Sequence, residues 1–225
     1  MKRLFAIRPE PGFSATRAAA DLAGLEVEGE PLFEIRPLDW EPPAPEGIDG
    51  VLLGSANAVR HAGGTLALFA GKPAFAVGLA TADAARKAGL SVAATGEGGL
   101  QALLDSLAGQ EAVLLRLTGA DHVPVVPPRG ITLLTRAAYE SVALPIPSPM
   151  AELLAEGGTV LLHSAAAARH FAAECDRLAI PRHALALAAL APRIADAAGG
   201  GWAAVRAAPR PRESALLAMA RDMCH

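Results

Sequence analysis

The chain has 225 residues, 52% of them hydrophobic and 19% charged, with a formal net charge of −3, enough apolar material to pack one large domain or two small ones. No apolar run approaches the roughly 18 residues of a membrane span, the apolar stretch after Met1-Lys2-Arg3 stops at Arg8-Pro9, too early for a secretory signal, and the scattered basic residues form no nucleic-acid face. Two cysteines, Cys175 and Cys224, and six histidines without ligand spacing predict neither a disulfide framework nor a metal site, so a cytoplasmic protein without a cofactor is expected.

Short β-branched or leucine-rich runs alternate with alanine-rich segments of helical length, the pattern of a parallel sheet. The first strand, Leu4 to Ile7, exits into Arg8-Pro9. A proline-rich passage from Arg36 reads as an extended linker. The strand Val51 to Leu53 then runs through Gly54 into Ser55-Ala56-Asn57, where Ser55 is placed to cap a helix whose first N–H groups attract carboxylates. Serine there caps a helix whatever the function, and both roles stay open. His61 falls one turn into that helix, on a face expected to be solvated, as does His170 later.

The strand Ala74 to Val77 exits through Gly78, which lets a ligand approach the backbone, towards Thr81, which offers a hydroxyl. The strand Val113 to Leu117 exits through Thr118-Gly119, a third polar, glycine-containing end. Tyr139, the one tyrosine, stands where a second linker begins; its phenol is either a proton donor or a packing group at a junction. The strand Thr159 to Leu162 exits into His163-Ser164, and the strands Ala184 to Leu187 and Ala203 to Arg206 follow. Gly199-Gly200-Gly201 reads as a loop, because no Walker-type lysine and serine follow it.

The stretch from Val51 to Ala62 matches that from Val160 to Phe171 at eight of twelve positions, and Ala82-Asp83-Ala84-Ala85 matches Ala195-Asp196-Ala197-Ala198. Duplicated βα halves explain this, as does chance in an alanine-rich chain. The expected fold class is α/β: two flavodoxin-like lobes with parallel sheets, joined by a two-segment linker, with a cleft between the lobes. Lobe 1 is discontinuous, 1–35 plus 150–225; lobe 2, 46–137, is inserted; 36–45 and 138–149 are the linkers.

These segments together resemble the uroporphyrinogen-III synthase family along nearly the whole chain. The resemblance is carried by Arg8-Pro9, Pro31-Leu32-Phe33-Glu34-Ile35, Ser55-Ala56-Asn57-Ala58-Val59, Ala76-Val77-Gly78 with Thr81-Ala82, Tyr139, His163-Ser164, Ala189 to Ala195, Gly201-Trp202, and Pro211 with Leu216-Leu217. Gly54 and Ala191 replace hydroxyl residues common in the family, and 121–130 lacks a helix that relatives usually have.

The resemblance implies a monomeric, cofactor-free and metal-free hydro-lyase of tetrapyrrole (haem) biosynthesis, with no nucleic-acid or membrane partner. It would cyclise hydroxymethylbilane, a linear tetrapyrrole bearing eight carboxylates, to uroporphyrinogen III with inversion of ring D and release of water. The implied catalytic residue is Tyr139. The implied substrate-binding residues are Arg8, Ser55, Ala56, Asn57, Gly78, Thr81, Thr118, Gly119, His163 and Ser164. On fold pattern alone, a non-catalytic two-lobed protein binding a small anion is the alternative.

Overall fold

In chain order the elements are β1 (Leu4–Ala6), α1 (Gly12–Leu22), β2 (Val27–Glu28), β3 (Phe33–Pro37), β4 (Gly50–Leu53), α2 (Ala56–Arg60), β5 (Pro73–Val77), α3 (Leu79–Lys87), β6 (Ser91–Gly96) and α4 (Leu100–Asp105). They continue with β7 (Ala112–Gly119), β8 (Ile131–Ala143), α5 (Ser148–Ala155), β9 (Gly158–Leu162), α6 (Ala165–Arg177), β10 (Leu185–Ala189), α7 (Pro192–Ala197), β11 (Ala204–Ala207) and α8 (Glu213–Met223). This computed structural model describes residues 3–224. It divides into two units, Met1–Glu34 with Val142–His225, and Ile35–Ser141.

Unit 1 carries a parallel sheet in the order β11-β10-β9-β1-β2. Side chains alternate across a strand, so Phe5 and Ile7 pack with Val160, Leu162, Phe171 and Leu187 under α5, α6 and α7. Leu4 and Ala6 face the other way, with Leu161 and Ala188, against α1 and α8. Every residue of Gly158–Leu162 is buried, and burial on both faces explains its apolar run Val160-Leu161-Leu162. Gly158 sits at φ 153, and a Cβ there would lie 2.7 Å from the Phe5 ring, so only glycine fits.

Unit 2 carries six strands in the order β3-β8-β7-β4-β5-β6, with β8 to β6 parallel throughout. Val51, Leu53, Leu115 and Leu117 pack with α2 and α3, while Leu52 and Leu114 pack with Leu103, Leu104 and Leu107 on the opposite face. Numbered along the chain from β4, the parallel strands stand 3-2-1-4-5. Numbered from β9 and continued through β1 and β2, the strands of unit 1 stand in the same order. The repeated sequence stretches are β4–α2 and β9–α6, in equivalent positions.

The strand segments read from the sequence appear within one or two residues of their expected ends, and the α/β fold with two parallel-dominated sheets stands. Four strands escaped the sequence reading: β2, β3, β6 and β8. Strand β6 alternates only between exposed and partly buried small residues, and β8 mixes polar and apolar residues with little full burial, so neither shows a strong apolar–polar contrast in its residues. The expected linker 36–45 opens as the end of β3, whose Pro37 is tolerated on a sheet edge. Trp40 anchors the rest, donating from Nε1 to the Ala62 carbonyl at 2.8 Å and stacking on Phe69.

In the second expected linker, 138–149, residues up to Ala143 belong to β8 and Ser148 opens α5. The Leu38 N–H donates to the Ala138 carbonyl and the Leu144 N–H to the Leu32 carbonyl, each at 2.9 Å. That spacing makes the β3–β8 pair antiparallel. His170 is not on a solvated face: Nε2 lies 2.7 Å from the Leu144 carbonyl, and the ring meets the Phe33 edge.

Beside it, Glu174 is 8% exposed and accepts the buried Ile146 N–H at 2.8 Å and two Arg177 N–H groups at 2.7 Å each. The Arg177 hydrogen bonds hold its carboxyl down at about 2, against the opposing effect of burial. A depressed folded-state pKa adds stability that is present above the ordinary carboxylate range and lost as pH falls towards about 2. Glu174→Ala should cost about 1–3 kcal/mol, the penalty of orphaning a buried donor, read as a lower denaturation midpoint near neutrality. The gap from wild type should narrow on acidification; a constant gap would show that the ionised carboxylate is not the stabilising form.

Candidate functional site

In open parallel sheets ligands bind outside the carboxyl ends of the strands, where neighbouring strands send their connections to opposite faces. In unit 2 that point lies between β4 and β7. Strand β4 leads to α2 on one face, and β7 leads to a loop whose Val125 packs on the other. In unit 1 it lies between β9 and β1, which lead to α6 and α1 on opposite faces.

At the first of these points Ser55 caps α2, its Oγ accepting the Asn57 N–H at 3.2 Å. Ala56 is buried behind it, and the Asn57 side chain accepts from Arg60 at 3.1 Å. On the neighbouring strand Gly78 takes φ 77, a left-handed conformation suited to glycine, with open space where a Cβ would point. Thr81 is a correction to the expected open hydroxyl: it is 5% exposed, on the packed side of α3. One turn of helix carries it from the strand exit back against the core.

Thr118 and Gly119 end β7, and a register shift between them sets Gly119 opposite Tyr139. The Tyr139 ring lies on Gly119 so closely that a Cβ on the glycine would be 2.8 Å from Cζ. Tyr139 thus lies within β8, half-buried against the core of unit 2. His61 faces it at a centroid distance of 6.2 Å. Instead of a solvated face, His61 has a partly buried setting that lowers its pKa, with the nearby Arg60 charge adding to the effect. The following loop contains no helix. It is tied down by Arg116, donating to the Val123 carbonyl at 2.7 Å, and by Gln101, bonded twice to the Val126 backbone.

At the corresponding point of unit 1, Ser164 caps α6 by accepting the Ala167 N–H at 3.1 Å. His163 precedes it with a side chain only 6% exposed, and Arg8 leaves the adjacent β1. Both meet Glu213, and Arg8 also meets Thr16, two residues that sequence reasoning did not single out. Arg8 Nη1 lies 3.3 Å from the Thr16 hydroxyl and 3.4 Å from Glu213 Oε2. Thr16 donates to Glu213 Oε1 at 2.6 Å, and His163 Nε2 lies 3.0 and 3.1 Å from the two carboxylate oxygens. Burial pushes the Glu213 carboxyl up, but the His163 hydrogen bond and charge, the Thr16 hydroxyl and Arg8 outweigh it and hold it below its ordinary value.

Glu213 lies 50, 197 and 205 positions along the chain from His163, Thr16 and Arg8. The one local clue was a glutamate at the start of a predicted closing helix. Among the described residues, no three His, Cys, Asp or Glu side chains gather into a set that could hold a metal ion, and no helix is long and apolar enough to cross a membrane.

Comparison with known proteins places these features in a family. The family model described as "Uroporphyrinogen-III synthase HemD" matches residues 14–218. Among solved structures, a uroporphyrinogen-III synthetase from Helicobacter pylori aligns with a TM-score of 0.66 at 16% identity, covering 99% of this chain and 100% of that one. A mutant uroporphyrinogen III synthase from the extremely thermophilic bacterium Thermus thermophilus aligns with a TM-score of 0.50 at 20% identity, covering 98% of each chain. Comparison with curated proteins finds no match. The structural likenesses speak for the fold; the family match covers most of both units, including the Ser55 and Ser164 strand exits, and by it the chain belongs to the uroporphyrinogen-III synthase family of cyclising hydroxymethylbilane hydro-lyases in haem biosynthesis.

Proposed function

We propose that this chain, as a cytoplasmic monomer without a cofactor, holds the carboxylates of hydroxymethylbilane at the carboxyl edges of its two sheets. The observation that carries this reading is the recurrence, in each unit, of a serine-capped strand exit beside the strand where connections change faces. Backbone N–H groups at such exits bind carboxylates without a basic side chain for each, which suits a protein of net charge −3 meeting a substrate with many carboxylates. Ser55, Ala56, Asn57, Gly78, Thr118 and Gly119 supply the contacts in unit 2, and Arg8 and Ser164 those in unit 1, where the buried His163 side chain acts through Glu213. Thr81 contributes by shaping the start of α3 from its buried side.

In this reading Tyr139 donates a proton to the departing hydroxyl, which leaves as water. The azafulvenium cation that remains is attacked by the substituted carbon of the last pyrrole, giving a spirocycle. That ring is released, rejoined through its other α-carbon and closed with loss of a proton. The substrate ionises and closes unaided to the uninverted isomer, so the protein's task is chiefly to hold the ends where the spiro route is faster.

The decisive experiment incubates the purified protein with freshly generated hydroxymethylbilane and separates the uroporphyrin isomers. Isomer III is expected, and isomer I alone would overturn the proposal. Tyr139→Phe should lower kcat by no more than about 10²-fold, because the leaving group also departs unaided; complete inactivity in a folded variant would contradict a simple donor role. Gly119→Ala, whose methyl would force the Tyr139 ring away, should lose at least as much rate as Tyr139→Phe. Ser55→Leu, which removes the α2 cap and crowds the exit, should raise the share of isomer I as the rate falls. A folded Ser55→Leu protein that makes pure isomer III at the wild-type rate would move the binding region elsewhere.

A further inference from the structure

The network at the β1–β9 exits has an order fixed by chemistry. Arginine only donates hydrogen bonds and an ionised carboxylate only accepts them. The Thr16 hydroxyl between them therefore accepts from Arg8 and donates to Glu213, closing a ring with the direct Arg8–Glu213 contact. Thr16 has no exposed surface, so this hydroxyl has no water to fall back on. His163 completes the set from β9, with Nε2 against both Glu213 oxygens and Nδ1 buried without a partner.

A second restraint comes from α1. A Cβ on Gly12 would lie 2.4 Å from Arg8 Nε and 2.7 Å from Cζ, so the guanidinium rests on the bare backbone at the start of the helix. Arg8 is held from three sides, by the Gly12 backbone, the Thr16 hydroxyl and the Glu213 carboxylate, yet its side chain keeps 32% of its surface open. A long, rotamer-rich cation that is fixed in place but not covered is preorganised for an outside anion.

We infer that Thr16 and Glu213, the latter braced by His163, are positioning residues that hold Arg8 as a receptor for one substrate carboxylate at the face-changing point of unit 1. The inference rests on the proposed reading of Arg8 as a substrate contact. Thr16 and Glu213 act through Arg8, and their removal loosens binding without removing a group that touches the reacting atoms. Thr16→Val keeps the volume and deletes the hydroxyl. Thr16→Ser restores the hydroxyl. Glu213→Gln leaves one acceptor oxygen where Thr16, His163 and Arg8 draw on two.

The test measures KM and kcat for hydroxymethylbilane in Thr16→Val, Thr16→Ser, Glu213→Gln, Gly12→Ala, Arg8→Ala and the double variant Arg8→Ala/Thr16→Val, with circular dichroism on each. Arg8→Ala should raise KM roughly tenfold or more, the scale of one charge-assisted hydrogen bond. Thr16→Val and Gly12→Ala should raise it about threefold to tenfold with kcat changed by less than about twofold, Glu213→Gln should do likewise, and Thr16→Ser should return KM towards wild type. Thr16→Val should add nothing in the Arg8→Ala background, since its effect passes through Arg8. A structural role alone would reduce the folded fraction and hence apparent kcat, leaving KM unmoved.

If Arg8→Ala raises KM but Thr16→Val does not, or if the two effects multiply, the positioning inference is overturned and the reading of Arg8 stands. If Arg8→Ala leaves KM unchanged, the reading of Arg8 itself falls and the inference with it. Should Thr16→Val not fold, Gly12→Ala decides the matter from a position outside the core: wild-type KM there would sink the idea.

Discussion

A parallel sheet covered on both faces cannot close its carboxyl edge everywhere. Where two adjacent strands send their connections to opposite faces, no helix passes over the gap, and backbone groups and short side chains are left facing outward. Each unit has such a gap where its strand order reverses, between β4 and β7 or between β9 and β1, and the residues of chemical interest collect around it. Alternation of leucine, valine and phenylalanine along the central strands fixes which connection lies on which face. The apolar pattern thereby sets the place of polar residues that contribute little to the core.

The two gaps share a plan and differ in chemistry. Each has a strand of the Val-Leu-Leu type followed by a serine that accepts a backbone N–H of the next helix. The neighbouring strand supplies the difference. In unit 1 it delivers Arg8 into a ring of ionisable groups. In unit 2 it delivers Thr118 and Gly119, the glycine in close contact with the Tyr139 ring. The same strand order thus carries a cation at the gap of unit 1 and a phenol beside the gap of unit 2.

Local signals carried most of what the sequence revealed. The buried strands, the Ser55 and Ser164 caps and the glycine at 78 follow from residues within a few positions of one another, and the chain's own repetition pointed to equivalent halves. Contacts made across the sheet left no such trace. Glu213 joins Arg8 and Thr16 only because α8 packs beside α1. Tyr139 meets Gly119 only because β8 continues the sheet past β7 with a register shift. His61 and Thr81 were misjudged because burial within short helices follows packing more than their position along the chain.

The strand order also bears on how the protein is made. Unit 2 is continuous, from Ile35 to Ser141, whereas β1 and β2 must wait for β9, which begins at Gly158. On a ribosome adding about 5–20 residues per second, the interval between them lasts on the order of ten seconds. Throughout it the first two strands have only each other as sheet partners, with the Phe5 and Ile7 face uncovered. All the strands of the inserted unit are made within that interval, so its core can close before β9 joins β1 to the rest of the unit 1 sheet.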